Sequence, residues 1–114
     1  MDLNEYQALA SGTAVYPTLT LKVTPLSILY PVLGLCGETG EVAENVKRII
    51  RDDDGTITAE RAEKLVTELG DALWYLSQVA TELGVPLNTV AEKNIEKLSA
   101  RQNRNKIHGE GDKR

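Results

Sequence analysis

The chain contains no phenylalanine, and aromatic residues make up only 4% of it, so its core must be built from Leu, Val, Ile and Ala, which suits helix packed on helix. One cysteine, Cys36, excludes an internal disulfide; with no second Cys and no His near it in sequence, nothing points to a zinc site, and it reads as a small buried apolar residue. The single histidine, His108, lies close to the C-terminus. No apolar run approaches the roughly 20 residues that span a bilayer. The start Met1-Asp2-Leu3-Asn4-Glu5 lacks the basic and then apolar layout of a signal peptide, so the expectation is a cytoplasmic protein with no membrane partner. Basic excess is also missing. A net charge of -4 argues against nucleic-acid binding by broad phosphate neutralisation, and an anionic ligand would need a cation to mediate.

What is present describes one globular domain. The 114 residues are enough to bury roughly two-thirds of the unfolded surface, and apolar and charged contents of 41% and 26% are those of a folded chain. A first helix is expected from residue 2 to about 16, with Asp2 as N-cap and a weak stripe of Leu3, Tyr6, Leu9, Ala10 and Ala14. Thr18 to Pro25 is rich in β-branched residues, but no partner strand follows, and it reads as a connector. From Leu26 to about Arg51 a long helix puts Ile28, Val32, Leu35, Thr39, Val42, Ala43, Val46, Ile49 and Ile50 on one face, with Pro31 either in or near its first turns or marking a kink. Asp52-Asp53-Asp54-Gly55 is a turn; it lacks the alternating ligands and closing Glu of a calcium loop. Thr58 caps a third helix with the stripe Ala62, Leu65, Val66, Leu69, Leu73, Leu76, Val79, Ala80 and Leu83, ended by Gly84 and Pro86. Asn88 caps a last helix, with Val90, Ala91, Ile95 and Leu98 facing the core. The expected organisation is a helical domain over residues 1–105 and a loop-like tail over 106–114.

Two of these helices carry paired acids. Residues three apart are neighbours on a helix, so Glu38 and Glu41 present carboxylates from consecutive turns, and Glu68 and Asp71 repeat the construction. On the helical wheel Glu38 and Glu68 border the apolar stripes, while Glu41 and Asp71 lie one step towards solvent. Asn45 and Tyr75 hold matching places a turn further on. Gly40 and Gly70 also match, and each costs roughly 1 kcal/mol relative to Ala mid-helix, which suggests a close backbone approach. A lone Glu-x-x-Glu is commonplace on a solvated face. Two matched pairs along one groove are different, because four like charges repel and require compensation. A hard divalent cation, magnesium or manganese, suits an all-carboxylate set. Glu44 falls outside the set and is expected to pair with Arg48. A di-iron carboxylate bundle would need Glu-x-x-His on two helices, which a chain with one histidine does not have.

These residues resemble the MazG-type, all-α nucleoside triphosphate pyrophosphohydrolases. The likeness runs through Tyr30-Pro31-x-Leu33-Gly34-Leu35-x-Gly37-Glu38-x-Gly40-Glu41, Glu68-Leu69-Gly70-Asp71-x-Leu73-Trp74-Tyr75, Asn94-x-x-Lys97-Leu98-x-x-Arg101 and Ile107-His108-Gly109-x-Gly111-Asp112-x-Arg114. It covers nearly the whole chain and is closest in form to short, single-domain bacterial and phage members; Lys113 stands where Asn is expected. The resemblance implies a four-helix-bundle-like all-α fold. It also implies magnesium-dependent hydrolysis of a (deoxy)nucleoside triphosphate to the monophosphate and pyrophosphate, with Glu38, Glu41, Glu68 and Asp71 as metal-binding and catalytic residues. Asn94, Lys97 and Arg101, spaced along one side of the last helix, are then candidates for phosphate contacts, with Lys47, Arg48 and Arg51 as weaker ones. Tyr75 is a candidate to bond or stack on the nucleoside, and Trp74 is a candidate for a base pocket or a subunit contact. The family's habit, and the small number of helices, imply a homodimer or homotetramer. Phosphoribosyl-ATP pyrophosphohydrolase, of the same superfamily, and a non-catalytic helical interaction module are the alternative readings.

Overall fold

The computed structural model describes residues 1–17, 20–21, 24–105 and 107–113, with the backbone alone for 20, 21, 24 and 25. Four helices carry the fold: α1 (Leu3–Ser11), α2 (Leu29–Asp52), α3 (Ala59–Glu82) and α4 (Leu87–Asn103). The connector between α1 and α2 falls partly outside the described residues. Within it β1 (Thr20–Leu21) pairs antiparallel with β2 (Thr24–Pro25), so the partner strand expected to be missing lies inside the connector itself.

Helix α1 is set by a capping box: Asp2 Oδ1 accepts from the Glu5 amide at 2.8 Å, and Glu5 Oε2 accepts from the Asp2 amide at 2.8 Å. It stops five residues short of the expected end. Gly12 forms the C-cap, and Thr13 turns its hydroxyl onto the Ala10 carbonyl at 2.8 Å, satisfying an end that would otherwise extend. Helix α2 accommodates Pro31 in its first turn, buried. The turn that follows holds Asp54 and Gly55 at φ of 54° and 77°, and Arg61 Nε ties it to α3 by donating to Asp53 at 2.7 Å. Thr58 caps α3 by accepting from the Arg61 amide, and Gly84, at φ 68°, ends it. The cap expected at Asn88 is replaced. Helix α4 begins at Leu87, and its first amides are taken by α1: Gln7 Oε1 accepts from Leu87 N at 2.8 Å and Asn4 Oδ1 from Asn88 N at 3.0 Å.

Helices α2 and α3 pack as an antiparallel hairpin, with α1 lying across α3 and α4. Ile49, Ala80, Leu87 and Ala10 are buried, but so are the polar residues Asn45, Ser77 and Gln78. Much of each expected apolar stripe faces outward instead. Val32, Val46 and Ile50 of α2, Val66, Leu69 and Leu76 of α3, and Val90, Ile95 and Leu98 of α4 are all exposed. Cys36, expected to be buried, is exposed as well. The Cα radius of gyration is 17.4 Å, against about 13 Å for a compact chain of 100 residues. The helices therefore do not close round one core. Among the described residues, no helix is long and apolar enough to cross a membrane.

Candidate active site

Three of the four acids meet where α2 and α3 face each other. One carboxylate oxygen from each of Glu38, Glu68 and Asp71 lies within 4.8 Å of the other two, and no other such cluster of His, Cys, Asp or Glu occurs among the described residues. Glu38 and Glu68 are half-buried, whereas Asp71 and Glu41 are exposed, in the order that the helical wheel assigns. Glu41 stands outside the converging set, but its charge reaches Glu38. Burial first, then the charges of Asp71, Glu68 and Glu41, hold the Glu38 carboxyl above the usual glutamate value. No ion pair to these four acids is formed among the described residues. Three converging oxygen ligands without a protein cation fit a hard divalent ion, as magnesium or manganese would be.

Beside the acids opens a cavity of about 440 Å³ lined by Thr13, Glu38, Asp71, Trp74 and Tyr75. A cavity of similar size, about 470 Å³, lies between α1 and the α3–α4 junction and has no acid in its wall. Aromatic rings make one side of the site. Tyr16 stacks on Tyr30 with ring centroids 5.4 Å apart, and Trp74 stands edge-on to both Tyr16 and Tyr75. Trp74 is fixed by donating Nε1–H to Thr13 Oγ1 at 2.9 Å. Burial, the neighbouring Tyr30 and the Glu38 carboxylate raise the Tyr75 phenol, and burial with the Asp71 charge raises that of Tyr6. Tyr6 and Thr13 were not legible as site residues. Both come from the α1 region, and only the tertiary fold brings them to the acids.

The remaining candidates lie elsewhere. Arg101 is buried and donates to the Asp112 backbone carbonyl at 2.7 Å and to its carboxylate at 3.3 Å, while Lys97 reaches the same carboxylate at 3.1 Å. The tail, expected as a loop, is thus docked on α4 by the two cations expected to contact phosphate. Asn94 lines a mostly apolar cleft with Leu3, Leu73, Leu76, Leu87, Val90 and Ala91 rather than the acid cavity. Glu44 pairs with Lys47 at 2.6 Å instead of Arg48, the i+3 neighbour offering the closer contact.

Four helices, with Glu38 of one and Glu68 and Asp71 of another brought into one carboxylate cluster, define an all-α protein with a three-acid site. The chain belongs to the MazG nucleotide pyrophosphohydrolase family, whose domain model matches residues 27–105. It is also similar to the Gene 37 protein of Mycobacterium phage L5, 45% identical over 114 residues, with 100% of each chain covered. No solved structure matches it.

Proposed function

We propose that this chain is a magnesium-dependent pyrophosphohydrolase that cleaves a (deoxy)nucleoside triphosphate to the monophosphate and pyrophosphate. The observation that carries this reading is the convergence of Glu38, Glu68 and Asp71 at a cavity walled by aromatic rings. Glu38, Glu68 and Asp71 would hold the cation, and Glu41, one turn along α2, supplies the fourth carboxylate. When bound, the metal supplies charge neutralisation of the triphosphate and a lowered pKa for an attacking water. The protein's own part is positional. Glu41, left outside the cluster, is free to accept the water's proton. Trp74 and Tyr75 form the wall beside which the nucleoside lies, and Thr13 keeps the indole in place.

The same reading makes the protein a cytoplasmic homodimer or homotetramer with no nucleic-acid partner, organised as one helical domain over residues 1–105 with a docked tail. Self-association is supported by the outward-facing apolar residues of α2, α3 and α4 and by the open shape. A screen of common and modified nucleoside triphosphates with magnesium tests the activity. Release of pyrophosphate from at least one is expected; release of orthophosphate alone, or no turnover with any, would contradict it.

A further inference from the structure

A further cavity, about 290 Å³, lies further along the same face of α3 and is lined by Ser11, Ala14, Tyr16, Gln78, Thr81 and Glu82. Its wall is polar, and one of its groups, the Gln78 amide, lacks the partner that burial ordinarily demands. Gln78 is only 1% exposed, yet its Nε2 donor has no hydrogen-bond partner among the described residues. An orphaned buried donor of this kind is destabilising unless something completes it. Glu82 accepts from Ser27 Oγ at 2.6 Å and from the Tyr16 hydroxyl, and these bonds hold its carboxyl below the usual glutamate value. A carboxylate has roughly four lone-pair sites, so each of its oxygens can accept once more, and no cation pairs with it among the described residues.

The placement relates this cavity to the acids. Asp71, Tyr75, Gln78 and Glu82 follow one another on a single face of α3, and the seven residues from Asp71 to Gln78 rise about 10 Å. That separation is comparable with the distance from the phosphates of a nucleotide to the far edge of its base. Tyr16 of this cavity and Trp74 of the acid cavity meet edge to face with centroids 6.3 Å apart. An unpartnered amide donor beside a carboxylate with acceptor capacity on both oxygens complements one carbonyl next to two adjacent N–H donors. Guanine is the nucleobase with that edge; adenine, cytosine, uracil and thymine each present no such neighbouring donor pair.

We propose that the Gln78–Glu82 cavity is the nucleobase site and that it reads guanine, Gln78 Nε2 donating to the base carbonyl and Glu82 accepting from its two adjacent N–H groups. The inference rests on the nucleotide reading of the acid cluster. The test compares turnover of dGTP, dATP, dCTP and dTTP by the full chain with that of Gln78→Leu, with Glu82→Gln as a second variant should the first fail to fold. Binding of dGMP and dAMP without metal is followed in parallel by calorimetry. The wild type is expected to favour dGTP, and either variant to lose that preference by at least about tenfold, chiefly through KM. Turnover without guanine preference, or a preference that both folded variants keep, would overturn the base site while leaving the hydrolase reading intact. If no nucleotide is turned over, the hydrolase reading fails, and calorimetry decides the cavity alone. Tighter binding of dGMP than dAMP, abolished in the variants, supports it, and equal or absent binding overturns it.

Discussion

The ring of Tyr75 occupies the notch left by Gly34: a Cβ built on Gly34 would stand 2.2 Å from Tyr75 Cε1. This glycine on α2 therefore sets the position of a ring that walls the acid cavity. Gly34→Ala is expected to displace the ring, to destabilise the protein by about 1–3 kcal/mol and to lower activity. Gly40→Ala and Gly70→Ala meet nothing within 4 Å and are expected to raise stability by up to about 1 kcal/mol. Thermal unfolding of the three variants checks this, and equal responses would contradict it.

Tyr16 titrates late. Burial and its hydrogen bond to Glu82 push the phenol from 10.0 up to about 12. Because the folded value is the higher one, the stabilisation is fully present below pH 10 and is lost as pH climbs towards 12. Phenolate absorbance should show one of the tyrosines ionising well above the ordinary range, and Tyr16→Phe should remove that step. A wild-type curve with every tyrosine ionising near 10 would contradict the bond.

The tail is held through Asp112. Hydrogen bonds from Lys97 and then Arg101 depress its carboxyl below the usual aspartate value, so this anchor persists above the ordinary carboxylate range and is lost as pH falls through the depressed value. Asp112→Asn should speed amide exchange over residues 107–113 while leaving the helices protected. Unchanged exchange there would show that Asp112 does not hold the tail.

The outward apolar residues of α2, α3 and α4 predict self-association. Light scattering is expected to give the mass of two or four chains, and a monomer at all concentrations would remove that part of the proposal.

The sequence showed the acid site more clearly than it showed the packing. Acid spacing gave the exposure order of Glu38, Glu41, Glu68 and Asp71, because position round one helix is a local property. Local signals also found the ends of α3 at Thr58 and Gly84. What failed were contacts between distant segments. The start of α4 is capped by Asn4 and Gln7, about eighty residues away, which leaves no trace near Asn88. The close approach suggested at Gly40 and Gly70 occurs at Gly34, where only the fold reveals the opposing ring. Burial of Asn45, Ser77 and Gln78 runs against their polarity and was invisible to a hydrophobic pattern.

The most direct test of the central claim is magnesium-dependent pyrophosphate release by the wild type beside Asp71→Ala and Glu41→Ala, with helicity followed by circular dichroism. The account predicts turnover in the wild type, its loss on chelating the metal, and a fall of at least about 100-fold in each variant with the helices retained. Full activity in both folded variants would contradict it.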